Sequence, residues 1–248
     1  MSKLLNVSSS PHVRCGVSTK NLMYDVAIAM LPATIWGVMQ FGIYSLIVVV
    51  ATVLSCVLSE YLFETLMHKP VTISDGSALV TGMILGLNMP PAIPIWMPIL
   101  GGIFTIIVVK QLYGGLGQNW MNPALAARCF MLISFAQAMT KFTDPVTDAV
   151  ASATPLAAIK AGDTYDVAAM FIGKIPGTIG EVSVIALLIG AAYLLVKKVI
   201  TIRIPAAYIL SFAVFAFIFG QHNINYVLAE VCGGGLIFGA FFMATDYV

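Results

Sequence analysis

Long apolar runs, separated by short polar or proline-containing segments, dominate the pattern along this chain. The runs are uniformly apolar over about 17 to 22 residues, the length that a helix needs to cross a bilayer. They do not alternate with a period of two, as the strands of a membrane barrel would. The pattern therefore predicts eight membrane-spanning helices, over residues 22–39, 43–66, 74–89, 94–110, 123–139, 179–196, 204–219 and 226–243.

Two polar segments divide these helices. Residues 1–21 form a tail ahead of the first span, and residues 140–178 form a long loop between the fifth and sixth spans. The chain therefore reads as a tail, a first membrane unit of five helices (22–139), the loop, and a second membrane unit of three helices (179–248).

The composition supports the same class. The chain is 60% apolar and 9% charged, whereas a soluble domain is about 25% charged. We therefore expect an all-helical integral membrane protein. A net charge of +1 argues against a nucleic-acid partner. The cysteines are scattered and form no CxxC pair, which predicts neither a disulfide framework nor a metal site: Cys15, Cys56, Cys129 and Cys232.

Basic residues predict the orientation. If the N-terminus is cytoplasmic, the residues that fall inside are Lys3, Arg14, Lys20, Lys69, Lys110, Lys197, Lys198 and Arg203. Those that fall outside are Lys141, Lys160 and Lys174. Since cytoplasmic loops carry the excess of lysine and arginine, we expect a cytoplasmic N-terminus and a loop 140–178 on the outer face.

A faint internal repeat links the two membrane units. The third helix of each is rich in glycine, at residues 76–82 and 233–239. With five helices per unit, the second would start from the opposite side of the membrane, as in an inverted repeat. The glycines would break these helices or let them pack closely, and close packing alone is the alternative to a repeat. The repeat also predicts that the chain lacks its last two helices.

The sequence Asp148-Ala149-Val150-Ala151-Ser152-Ala153-Thr154-Pro155 is the candidate chemical site in the loop. Its simplest interpretation is a capped helix start, because threonine is a good N-cap and proline suits the first helical position. A helix start also attracts anions through its free N–H groups. A phosphate esterified to the Thr154 hydroxyl would therefore be tolerated there.

Residues 148–154 resemble the flavin-attachment motif of bacterial flavin-transferase substrates: aspartate, three variable residues, a small or hydroxyl residue, then Ala-Thr. Further stretches match at residues 74–82, 110–117, 119–128 and 239–246. Over essentially its whole length the chain resembles the D subunits of Rnf complexes and the related B subunits of sodium-pumping NADH:quinone reductases. One departure is the run Ala151-Ser152-Ala153, where relatives often have a glycine.

The resemblance implies FMN joined to Thr154 by a phosphoester, with Asp148, Ser152 and Ala153 completing the motif. It implies a fold like that of urea channels and further helices after residue 246, in agreement with the repeat. It also implies a bacterial inner-membrane complex that moves electrons between ferredoxin and NAD, coupled to sodium or proton transport. The implied partners are other Rnf subunits, including a second covalent-FMN subunit and iron–sulfur subunits.

A second, non-covalent flavin (riboflavin) is implied for this family, and Asn119 and Asn122 match its expected position. Asparagine amides can donate to and accept from the edge of a flavin ring, and glycines before them let the ring approach the backbone. The alternative is an asparagine-capped helix that begins with Pro123. Arg128, inside the fifth span, needs a partner, a cavity or a cofactor; the alternative is a salt bridge to a buried acid such as Asp75.

We therefore expect a membrane-embedded flavoprotein subunit that relays electrons and is not a complete enzyme alone. It has no predicted catalytic side chain of its own, because the flavins carry the redox chemistry. A solute transporter or channel of the same fold would bind no flavin, and a purely structural scaffold would bind no chromophore.

Overall fold

The structure, a computed structural model, describes residues 18–143, 150–151, 156, 167–220 and 224–246. Its helices are α1 (Thr19–Phe41), α2 (Ile43–Leu66), α3 (Ser77–Leu87), α4 (Trp96–Phe104), α5 (Pro123–Ser134), α6 (Ala136–Met139), α7 (Val167–Ile172), α8 (Val184–Val196), α9 (Arg203–Phe219), α10 (Ile224–Cys232) and α11 (Leu236–Phe238). Wider π-helical turns extend α4 (Thr105–Lys110) and α11 (Gly239–Met243). Shorter 3-10 turns cover Ile73–Asp75 and Gln111–Tyr113. Two-residue strands β1 (Phe142–Thr143) and β2 (Val150–Ala151) pair antiparallel, with Phe142 opposite Ala151.

Among the described residues, three helices are long and apolar enough to cross a membrane unaided: α1, α2 and the continuous stretch Trp96–Tyr113. The pair α10 and α11, extended by its π-turn, passes as one span bent by 67°. The helices α3, α5, α8 and α9 are apolar but shorter, with 11, 12, 13 and 17 residues. The prediction of an all-helical membrane protein is confirmed at this coarse level.

The third span, predicted at 74–89, is shorter at both ends, because Ile73–Asp75 form a 3-10 turn and the α-helix ends two residues early. Helix α3 ends at Leu87, and the prolines at 90 and 91 prevent its continuation. The backbone beyond it is buried, and its carbonyls are satisfied by a distant segment: Ile179 donates to Met89 (3.1 Å) and Gly180 to Leu87 (2.8 Å). Non-helical backbone at membrane depth is tolerated when protein surrounds it in this way.

The two glycine-rich runs have different structural effects. In α3, a Cβ added at Gly82 would lie 2.8 Å from the Cα of Val53, so glycine allows α2 and α3 to touch backbone to backbone. The later run breaks its helix, since α10 ends at Cys232 and α11 begins at Leu236. The predicted span over 226–243 is therefore a bent pair of helices, and the break at its glycines is one of the two effects expected of them. The inverted repeat stays a prediction, because α3 is uninterrupted whereas the later glycine run breaks its helix.

Helices α1 and α8 run antiparallel and join the two membrane units. Gly37 of α1 lies against Ile179, whereas Gly190 of α8 lies against the carbonyl of Ala29, nearer the start of α1. Close to the same end, the hydroxyl of Tyr193 donates to Asp25 (2.8 Å). The core of the protein therefore runs continuously from the first unit to the second.

Candidate functional site

The predicted attachment residues Asp148, Ser152, Ala153 and Thr154 lie outside the described residues. The structure describes residues on either side of Thr154, at 150–151 and at 156. Strand β2, inside the motif, pairs with β1. Leu156, two residues after Thr154, packs on the glycines between α10 and α11, where a Cβ on Gly234 would lie 2.8 Å from its side chain.

Asn122 caps α5. Its Oδ1 accepts from the backbone N–H groups of Ala124 (3.1 Å) and Leu125 (3.2 Å), and Pro123 occupies the first helical position. Its Nδ2 donates to Asp246 (3.0 Å), at the end of the described chain. The alternative interpretation, a capped helix start, is therefore confirmed. Both the oxygen and the nitrogen of the Asn122 amide already have hydrogen-bond partners.

Asn119 anchors the loop before α5. With its amide nitrogen turned toward the backbone, the side chain donates to the carbonyls of Val109 (3.1 Å) and Lys110 (3.3 Å). These carbonyls belong to the π-turn after α4, where the wider winding leaves backbone oxygens available. Asn119 thus fixes the loop to the end of α4 and does not line the adjoining cavity.

A cavity of about 420 Å³ lies between the α4 extension and α5. Its walls include Tyr113, Trp120, Asn122 and Cys129, together with apolar side chains. The rings of Tyr113 and Trp120 are neighbours, with centroids 6.2 Å apart and planes inclined by 57°. Sequence reasoning identified Asn122 but missed the aromatic pair, although both aromatic residues flank the glycine loop.

Arg128 has a partner, as predicted, and the alternative of a salt bridge to a buried acid is confirmed. Its Nη1 donates to Glu181 (2.7 Å) and to the side-chain oxygen of Asn88. The acid is Glu181 and not the suggested Asp75, which accepts instead from the N–H of Ser77 (2.8 Å), the first residue of α3. Arg128 also lines a second, smaller cavity of about 180 Å³, near Leu156, rather than the aromatic one.

A buried ionic cluster forms where α2, α3 and α4 meet. The ammonium of Lys110 donates to Glu60 (2.7 Å) and to Ser77 Oγ (2.6 Å). Gln111 also donates to Glu60 (2.9 Å) and to Glu64 (3.3 Å). Lys110, which the predicted orientation counts among the cytoplasmic basic residues, is fully buried. The signal that was missed is Glu60, an acid within a predicted span.

Comparison with known proteins identifies the family to which these sites belong. The family model described as "NQR2, RnfD, RnfE family" matches residues 6–248. The chain belongs to this family. The resemblance inferred from the motifs is thereby confirmed.

Relatives within the NQR2, RnfD, RnfE family include the D subunits of several named complexes. The D subunit of the Na(+)-translocating ferredoxin:NAD(+) oxidoreductase complex of Acetobacterium woodii is 46% identical over 249 residues, which cover 98% of this chain and 77% of the relative. The D subunit of the proton-translocating ferredoxin:NAD(+) oxidoreductase complex of Clostridium ljungdahlii is 39% identical, covering 99% and 79%. The D subunit of the ion-translocating oxidoreductase complex of Rhodobacter capsulatus is 30% identical, covering 97% and 78%. Different relatives are thus named for different ions.

Proposed function

We propose that this chain is the membrane-embedded flavoprotein D subunit of an ion-translocating ferredoxin:NAD oxidoreductase complex. There, the chain relays electrons through FMN joined to Thr154 and through a second, non-covalent flavin. The observation that carries the proposal is the family match over residues 6–248, combined with the attachment sequence from Asp148 to Thr154. The chain is one subunit of this oxidoreductase and not a complete enzyme.

The covalent flavin would accept and pass on electrons, and the protein's task is to hold it in place. The described flanks of the motif support a fixed position for it. Strand β2 is paired to β1, and Leu156 is seated on the glycine break.

The aromatic cavity supports the second flavin. Its volume of about 420 Å³ lies within the range of about 300–1,000 Å³ typical of organic ligand sites. Tyr113 and Trp120 supply aromatic rings that a planar ring system can contact. No charged side chain lines this cavity within the described part of the chain, which suits an uncharged flavin such as riboflavin better than a phosphorylated one.

Helix α5 connects the two proposed sites. Asn122 at its start lines the aromatic cavity, and Arg128 lines the smaller cavity near Leu156. The two residues are six positions apart, which corresponds to a rise of about 9 Å along a helix. A single rigid helix would therefore relate the positions of the two flavins.

The remaining expectations follow from the same proposal. The partners would be the other Rnf subunits, including a second covalent-FMN subunit and iron–sulfur subunits, together with membrane lipid. The location would be the bacterial inner membrane, with the N-terminus cytoplasmic and the Thr154 loop on the outer face. Sodium and proton are both named among the relatives, and the coupling ion would be one of them.

Mass spectrometry of the peptide that contains Thr154, from the purified complex, tests the proposal. We expect an FMN adduct on this peptide and flavin fluorescence that stays with the denatured polypeptide. Thr154→Ala should abolish both, whereas Thr140→Ala, which changes an exposed threonine at the edge of the same loop, should retain both. Covalent flavin on the Thr154→Ala protein would refute the assignment. A solute channel, the alternative function, predicts no adduct in any of these proteins.

A further inference from the structure

The turn between α8 and α9, residues 197–203, holds a lysine in a backbone conformation that usually belongs to glycine. Lys198 has a φ of 57°, in the left-handed region. Its N–H donates to the carbonyl of Leu195 (3.1 Å), and the next N–H, of Val199, donates to Leu194 (3.0 Å). A helix that ends with this pair of bonds normally has glycine at the left-handed position, because a side chain there is strained. The α8–α9 turn therefore carries a lysine side chain despite the backbone strain.

Apolar residues fix this turn to the bundle. Val199 and Ile200 are only 4% and 5% exposed and belong to the hydrophobic core. The basic residues on either side of them, Lys197, Lys198 and Arg203, are exposed. The turn thus presents three cations from a firmly seated base.

The protein provides no acid to neutralise these cations. No aspartate or glutamate occurs between residues 181 and 230. Neither of the two ion pairs in the described part of the chain involves the α8–α9 turn. An uncompensated group of like charges attracts a partner of the opposite charge, so this turn fits an anionic surface.

The place of the turn in the fold indicates which anionic surface it meets. Tyr193, one helical turn before Lys197, donates to Asp25 near the start of α1, so the turn lies at that end of the bundle. Val196 and Ile202, which flank the cations, are 81% and 59% exposed. Cations interleaved with exposed apolar side chains are typical of the boundary between lipid headgroups and acyl chains. A lipid surface fits this combination better than a soluble acidic protein does.

We propose that Lys197, Lys198 and Arg203 bind the phosphate groups of anionic phospholipids, with Val196 and Ile202 against the acyl chains. The predicted orientation places the turn in the cytoplasmic leaflet, where anionic lipids attract basic residues next to a span. Each such residue contributes about fivefold in affinity, equivalent to about 1 kcal/mol. The lysine at the strained position is then retained for its charge. This binding site does not require a flavin.

A lipid titration of the purified protein in uncharged detergent tests the proposal. Dioleoylphosphatidylglycerol is the anionic probe and dioleoylphosphatidylcholine the zwitterionic one, and the rise in Tm reports binding. We expect the anionic lipid to stabilise the protein more, and added salt to weaken the difference. Lys198→Gln should raise the half-maximal concentration of phosphatidylglycerol about fivefold. Lys197→Gln, Lys198→Gln and Arg203→Gln combined should remove the preference for the anionic lipid.

Glycine substitutions separate the charge from the backbone strain. Lys198→Gly relieves the strain, so we expect its Tm without added lipid to rise by about 2–4 °C. Its half-maximal lipid concentration should still rise about fivefold. His68→Gly is the matched control, because His68 also has a positive φ (53°), at the end of α2, and is uncharged at pH 8. It should raise the Tm and leave lipid binding unchanged. Lys174→Gln, at another exposed lysine, controls for loss of a lysine and should change neither value.

Three results would overturn the proposal. Equal stabilisation of the original protein by the two lipids would show that charge is not recognised. A higher Tm with unchanged lipid binding in Lys198→Gly would leave the lysine without a role in binding. Unchanged lipid binding in the triple variant, with loss of another subunit from the purified complex, would assign the turn to a protein contact. If the triple variant does not fold, Lys198→Gln and Lys198→Gly decide. Failure of the proposed function is separate, since it concerns the flavin adduct, which these variants should keep.

Discussion

The ammonium nitrogen of Lys110 lies 2.7 Å from Oε1 of Glu60, and both side chains are only 1% exposed. The pair joins the end of the α4 extension to α2, and a second contact of Lys110, to Ser77 at the start of α3, adds a third helix. A charged group in a span is costly unless it is paired. Since Oε2 of Glu60 has no partner among the described residues, Lys110 provides the main compensation for this carboxylate.

We expect Lys110→Met to destabilise the protein by about 3–5 kcal/mol, because it leaves the Glu60 carboxylate buried without its counter-ion. For a chain of this size that corresponds to a fall in Tm of about 2–4 °C for each kcal/mol. Thermal unfolding of the purified protein in detergent measures the change.

The matched double variant isolates the cause. Glu60→Met combined with Lys110→Met removes both charges, and we expect it to be more stable than Lys110→Met alone. Lys174→Met, at an exposed lysine away from the cluster, should stay within about 0.5 kcal/mol of the original protein. A double variant as unstable as the sum of its single variants would show that the pair is not the origin of the effect.

Gly190 controls the contact between the two membrane units. A methyl group at this position would overlap the carbonyl oxygen of Ala29, so α8 would have to move away from α1. We expect Gly190→Ala to cost about 1–3 kcal/mol, as overpacking does elsewhere. Gly101→Ala is the control, because its Cβ would meet only ordinary contacts, the nearest at 3.5 Å from Met131. Equal thermal stability of the two variants would contradict a close contact at Gly190.

The sequence predicted best what depends on local pattern. The first two spans, predicted at 22–39 and 43–66, occupy Thr19–Phe41 and Ile43–Leu66 because their apolar runs are uninterrupted and Gly42 separates them. The start of α5 at Pro123 followed from the asparagine–proline pair. The end of the third span was predicted to within two residues because Pro90 and Pro91 stop a helix, whereas its late start at Ser77, after a 3-10 turn, was not predicted.

The sequence also did not predict which charged side chains pair with each other. Glu181, which pairs with Arg128, is 53 residues away along the chain, so only the packing of α5 against the segment before α8 brings them together. The prediction that Lys110 is a solvated residue at a span end was wrong for a related reason. Counting basic residues at span ends treats each lysine as solvated, whereas this one turns inward to Glu60.

The amide of Asn122 combines a cap with a long-range contact, and two substitutions separate these roles. Asn122→Ala removes the cap on α5 and the bond to Asp246, and should cost about 1–2 kcal/mol. Asn122→Ser keeps a capping oxygen but is too short to reach Asp246, so it should recover most of this loss. Comparison of their unfolding temperatures checks the order. A serine variant as unstable as the alanine variant would mean that the contact with Asp246 dominates.

The aromatic cavity allows a direct test of the second flavin. Cys129 is exposed and lines this cavity, so Cys129→Trp should fill space that a flavin ring would need. We expect the flavin released by acid precipitation to fall by about tenfold, equivalent to about 1.4 kcal/mol of lost binding. The fluorescence that remains on the polypeptide should be unchanged, because Thr154 is not altered. Leu132→Trp, on the same helix but outside the cavity, is the control and should release the original amount. Full release from Cys129→Trp would place the non-covalent flavin elsewhere in the complex, and the aromatic pair of Tyr113 and Trp120 would then serve packing alone.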